Sequence, residues 1–183
     1  LERIGKLDVK VEEILGADNC SHYRNKAQYP VSICDGELFA GFYAYKSHRI
    51  ICKDDCALQP KEFKDGREAF KIWTEKADVT SYDENTCKGL LRHIYFRKGF
   101  ATGDIMACAV INGNSIPESE LLVSLLREKL AGLKSVVINI NRENSNVILG
   151  KECKTVWGDD YISDKLLGKT FVISPNSFYQ VNH

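Results

Sequence analysis

The sequence predicts an α+β fold: a mainly antiparallel sheet of hairpins, strongly curved or barrel-like, covered by two amphipathic helices. Three observations predict it. Short strand patterns far outnumber helical ones, two pairs of them flank tight-turn residues, and the strict strand–helix alternation of a doubly wound parallel sheet is missing. The 183 residues suffice for a sizeable core, and 44% hydrophobic with 27% charged residues is the balance of a folded chain.

Residues 7–11 (LDVKV) alternate apolar and polar, the period of a short half-buried strand. Residues 22–30 (HYRNKAQYP) lack that period and carry too many polar groups for a buried element, so they read as a loop or irregular edge. Residues 31–34 and 38–45 flank Asp35-Gly36, which tolerates positive φ and marks a hairpin. A short strand fits residues 49–53. Phe63, Phe70, Trp73 and Ala77 recur at helical spacing between charges, giving an amphipathic helix across residues 60–79 whose first turn Gly66 weakens. A second hairpin joins residues 90–96 to 104–111 around a turn carrying Gly99 and Gly103. Ser115 and Glu118 have capping-box spacing; Leu121, Leu122, Leu125, Leu126 and Leu130 follow, and Gly132 stops the helix. Further strands fit residues 135–141, 146–150, 153–157 and 170–174.

The formal charge is zero but unevenly spread. Arg24, Lys26, Lys46, Arg49 and Lys53 face only Asp35 and Glu37 in residues 21–53, and Lys88, Arg92, Arg97 and Lys98 have no acid among residues 88–103. Such a split marks an anionic partner on one face, or simply solvated strand charges. No apolar run is long enough for a membrane helix, no secretory signal opens the chain, and seven cysteines, an odd number, fit a reducing compartment; the expectation is a soluble cytoplasmic protein. The sole methionine is Met106, which suggests a piece of a longer protein.

Dinucleotide, Walker A and HExxH motifs are absent, as is any CxxC pair. Cys52 and Cys56 do not complete a zinc site, and Cys34 and Cys108 read as small buried hydrophobes. Three segments resist a purely structural reading. In residues 23–30 (YRNKAQYP), Arg24 and Lys26 bracket an amide beside aromatic rings, a mix suited to phosphate contacts and base stacking. In residues 89–100 (GLLRHIYFRKGF), a strand puts Arg92, Ile94 and Phe96 on one face and His93, Tyr95 and Arg97 on the other. Residues 174–182 (SPNSFYQVN) are a dense polar-aromatic stretch after a strand.

Together with GFYAYKSHRI (residues 41–50), CALQ (56–59), NRENSNVILG (141–150) and WGDDYI (157–162), these segments give a sequence that resembles the RNA (uracil-5-)-methyltransferases, in particular their 23S rRNA branch. The resemblance implies a central piece of such an enzyme. It places a barrel and a cysteine cluster upstream and an S-adenosylmethionine-binding domain downstream. Residues 1–174 then form the RNA-contacting domain, and 175–183 begin the methyltransferase domain. In the chemistry it implies, a thiolate adds at C6 of uracil, C5 takes the methyl group from S-adenosylmethionine, and a base removes the C5 proton. The resemblance puts that cysteine and base beyond this chain, so no residue here is catalytic.

Carried over residue by residue, Phe178 forms an aromatic wall for the flipped base. Gln180 sets its amide near the uracil edge and S-adenosylmethionine. Cys56, in CALQ, matches the fourth ligand of a [4Fe–4S] cluster whose other three ligands lie upstream, so the chain alone retains no cluster. Arg24, Lys26, Arg92 and Arg97 are the candidate phosphate contacts, with His93 a weaker one. In the chain alone, the segment around Phe178 is expected to pack through that ring or to be disordered. The chain alone is also expected not to methylate RNA and to bind S-adenosylmethionine weakly. The expected partner is RNA, with CALQ favouring 23S rRNA, and no membrane or obligate protein partner is expected. The alternatives are a tRNA-directed member of the family and a stand-alone RNA-binding module of the same fold.

Overall fold

The structure, a computed structural model, describes residues 2–52 and 56–182. In chain order these form α1 (Glu2–Gly5), β1 (Lys26–Cys34), β2 (Glu37–Ala40), β3 (Phe42–Tyr43), β4 (Ile50–Ile51), α2 (Glu62–Lys76), β5 (Leu91–Lys98), β6 (Ile105–Ile111), α3 (Ser119–Lys129), β7 (Leu133–Ile140), β8 (Glu152–Gly158), β9 (Ile162–Leu166) and β10 (Lys169–Ile173). The α+β class stands, but the sheet does not close into a barrel. Its order is β2-β1-β5-β6-β7-β8, and β3-β4 and β9-β10 form separate two-stranded sheets. Every neighbour in the large sheet is antiparallel except β6 and β7, which run parallel because α3 carries the chain back between them.

Both faces of the sheet are covered, so β5 and β6 are buried almost throughout. On one face α2 and α3 pack Phe63, Phe70, Trp73, Leu122 and Leu126 against Ile94, Phe96 and Ala107. On the other, Ile162 of β9 and Ile173 of β10 cover Tyr95, Met106, Cys108 and Val137. The helix over residues 60–79 forms as its apolar spacing requires. Gly66 is there for space: a Cβ would stand 2.6 Å from the Phe96 ring. The first hairpin turns where Asp35 and Gly36 take φ of 53° and 79°. No helix among the described residues is long and apolar enough to cross a membrane.

Several elements differ from the sequence pattern. Residues 7–11 form no strand and are exposed, because no neighbouring strand accepts their hydrogen bonds. Residues 26–30, expected as a loop or edge, are instead the first half of β1: Ala27 and Tyr29 reach the core while Lys26 and Gln28 point to the opposite face. The Ser115 capping box does not form. The third helix starts at Ser119 behind Glu118, which has φ 45° and no side-chain cap. Residues 146–150 are irregular, since Asn141 and Asn139 side chains bind their backbone instead of a strand partner. The strand β9 had no sequence signal, its centre being Ser163, Asp164 and Lys165. Cys108 is buried, but Cys34 is exposed at the end of β1.

Candidate functional site

Three segments far apart in sequence meet at the start of β1. Residues 22–24 lie along CALQ: the His22 amide donates to the Ala57 carbonyl (2.6 Å), the Arg24 amide to Leu58 (3.0 Å), and His22 Nδ1 to the Gln59 carbonyl (2.6 Å). On the other side, residues 24–25 hold the C-terminal segment. The Asn25 amide donates to Val181 (3.0 Å), Asn25 Nδ2 donates to the Gln180 carbonyl (2.7 Å), and Arg24 bridges to Asn182. Lys98 in turn donates its amide to the Asn25 carbonyl (2.8 Å). Asn25 therefore joins the sheet to the polar-aromatic segment. Sequence reading noted this amide between two cations without finding that role.

Beneath this junction, a buried polar cluster shapes the turn at residues 174–177. Arg97, 5% exposed, donates to the Ser174 carbonyl (3.1 Å), the Ser177 carbonyl and the Tyr95 hydroxyl. The Tyr95 hydroxyl in turn donates to the Pro175 carbonyl (3.1 Å). Ser177 Oγ accepts from the Ser174 amide (3.0 Å), closing the turn. Asp164, also buried, accepts from the Ala101 amide (2.9 Å) and from the Tyr179 hydroxyl (3.2 Å). Tyr95 stands inside the distinctive segment 89–100 and Asp164 outside every such segment, but only the folded geometry shows the part of either.

The segment's backbone is thus fastened while its key side chains face outward. Phe178 is 90% exposed and Gln180 is exposed. Phe178 neither packs on the body nor leaves the segment unstructured, contrary to both expectations. The reason is that main-chain bonds from Asn25 and Arg97, not the ring, anchor it. Next to it, residues 16–19, Ser21, Tyr23, Phe100 and Asn182 line an open cavity of about 450 Å³.

The candidate cations divide into two kinds. Arg24 is exposed and Lys26 half-buried, beside the fastened segment. Burial and the Arg97 guanidinium both hold the Lys26 ammonium below its ordinary range. Lys26 stands directly across from Arg97 in the β1–β5 register, a like-charge pair that costs stability unless an anion sits beside it. Arg92 and Arg97, by contrast, are buried and turned toward backbone carbonyls. Arg92 occupies a bulge between Leu91 and His93, which takes it off the Ile94–Phe96 face; it donates to Asn141 (2.9 Å) and Glu143 (2.8 Å) and lies over the Tyr82 ring at 4.3 Å. His93 is buried and pushed down to about 4 by desolvation and then by Arg92, so it is neutral near pH 7 and offers a phosphate no charge.

Cys56 is half-buried in the loop that His22 and Arg24 hold. Among the described residues no group of three or more His, Cys, Asp or Glu side chains is placed to hold a metal ion. A complete [4Fe–4S] ligand set is thus not assembled among the described residues.

No protein-family model matches the chain. Over its whole length it is 43% identical to an uncharacterized RNA methyltransferase of Clostridium tetani and 41% identical to one of Caldanaerobacter subterraneus, each across 182 residues. A Listeria monocytogenes protein of the same name is 42% identical. The chain spans 40% of the length of these relatives. Among solved structures, the tRNA (uracil-54, C5)-methyltransferase of Pyrococcus abyssi, in complex with S-adenosyl-L-homocysteine, matches with a TM-score of 0.72 at 22% identity, over 90% of this chain and 38% of that one. That likeness is one of fold. From end to end, then, the chain is homologous to part of a set of proteins named RNA methyltransferases.

Proposed function

We propose that the chain is the RNA-contacting part of an S-adenosylmethionine-dependent methyltransferase acting on C5 of a uridine. The observation that carries this reading is the cross-strand pair of Lys26 and Arg97 at the foot of the fastened segment. Lys26 and Arg24 are the groups that take RNA phosphates there. Arg97 and Asn25 hold the turn and strand that present Phe178 and Gln180 outward, where an aromatic face and an amide meet an unstacked base. Arg92 takes a supporting part, fixing the loop after β7. In this reading residues 1–174 contact RNA, residues 175–183 open the methyltransferase domain, and Cys56 is a single thiolate ligand of a cluster completed outside the chain. The CALQ segment favours 23S rRNA, and a tRNA substrate is the competing reading.

The test is made on the full-length protein. Gln180→Ala lowers uridine methylation strongly while unfolding free energy stays within about 1 kcal/mol of wild type, as for a change outside the core. Undiminished turnover removes Gln180 from the site, and methyl transfer to a position other than uridine C5 overturns the reaction class.

A further inference from the structure

At the far end of the same sheet face lies a second cavity, of about 430 Å³, whose lining includes Tyr43, His48, Tyr82, Asn85, Arg92 and His93. The register that sets Lys26 opposite Arg97 sets Pro30 opposite His93, so the cavity opens about 13 Å along the strands from the first site, at ~3.3 Å per residue. Its chemistry is that of a flat, polar-edged ligand. Tyr43 and the His48 imidazole are already stacked, with centroids 5.0 Å apart. Arg92 lies over Tyr82, adding a guanidinium plane. His93, buried with 8% of its surface exposed, closes one side of the cavity, and its buried Nδ1 has no hydrogen-bond partner. Asp83 and Glu84 in its lining make the cavity a poor phosphate site and add acceptors for an amino group. His48 donates toward Glu84 at 2.7 Å, which fixes one wall of the aromatic pair.

We infer that this cavity binds a second unpaired nucleobase of the RNA, a few nucleotides from the one presented to Phe178 and Gln180. The inference rests on the proposed RNA contact but concerns different residues. A single strand gripped at Arg24 and Lys26 runs along β1 past Gln28 to reach it, and stacking holds the base there with little regard to its identity.

Fluorescence anisotropy on the full-length protein tests it, with labelled 12-nucleotide oligo-A, oligo-C and oligo-U and a 12-unit abasic ribose-phosphate strand as probes. Tyr82→Ala and His48→Ala should each weaken the base-bearing strands about 5- to 100-fold and leave the abasic strand and the salt slope unchanged. Arg24→Ala should weaken all four strands alike. Equal effects of Tyr82→Ala on base-bearing and abasic strands, or none on either, overturn the second site while the RNA reading stands. Failure of the wild-type protein to bind any strand overturns the RNA reading and this inference with it. Binding of free nucleoside monophosphates as tightly as of the oligonucleotides assigns the cavity to a free nucleotide and overturns the inference. Melting curves confirm that both variants fold; where one does not, the other carries the test.

Discussion

Arg97 is the residue on which the candidate site turns. Read from the sequence it is a surface cation on a strand; in the fold it is buried with donors to Ser174, Ser177 and Tyr95. Hydrogen bonds from a charged donor contribute about 1.5–3 kcal/mol each, and removal leaves several carbonyls bare. Arg97→Ala should therefore cost about 2–4 kcal/mol in urea unfolding, far more than Arg24→Ala at an exposed position. His93 makes a pH-dependent prediction. The native state holds its imidazole at about 4, while an unfolded chain titrates it near 6.5. As pH falls the unfolded chain takes up the proton first, so this contribution is whole above about pH 6.5 and drains away toward pH 4. The loss amounts to about 3 kcal/mol. Unfolding free energy measured across that window should flatten in His93→Gln, and an unaltered acid limb would show that other groups set it.

At the scale of elements, α2 offers a case where propensity and packing disagree. Gly66→Ala gains about 1 kcal/mol of helix propensity. The new methyl, however, meets Phe96 at 2.6 Å, and that ring is wedged between Phe63 and Phe70 with centroids at 5.2 and 5.9 Å. Overpacking of this kind costs about 1–3 kcal/mol, so a net loss near 1 kcal/mol is expected in urea unfolding. The helix itself was legible because its apolar residues repeat at the helical period, and the first hairpin because Asp35-Gly36 suits only a tight turn. Residues 26–29 do alternate, Lys26 and Gln28 against Ala27 and Tyr29, but the period is hidden when they are read as one segment with the aperiodic polar run 22–25 before them. Residues 7–11 had the right alternation, but alternation says nothing about whether a partner strand exists. In the site, Phe178 and Gln180 stood out as motif residues, whereas Asn25, Tyr95 and Asp164 act through contacts that only tertiary structure creates.

For the whole molecule, the split between exposed and inward-facing cations makes a prediction about salt. Each phosphate of a single strand neutralised by the protein contributes about −0.7 to the slope of log K against log salt. Arg24→Ala should remove about that much from the slope, whereas Arg92→Ala, whose charge faces carbonyls, should leave it unchanged. Anisotropy titrations from low to moderate salt distinguish the two. The tie between Asn25 and Gln180 also bears on how the protein comes together. The partners are 155 positions apart. Closing an open chain of that length costs about 4–5 kcal/mol, more than the few bonds at the junction return. The central sheet must form first and shorten the effective loop, so the presenting segment is the last part to dock and the first to release without global unfolding. Amide exchange should record it: the Asn25 proton, bonded to Val181, exchanges faster than that of Ile94 in the middle of the sheet. On the proposed RNA-contacting reading, the segment that presents Phe178 and Gln180 is a late-locking clasp on a finished scaffold, open to loading or eviction of a strand on a timescale that the scaffold does not share.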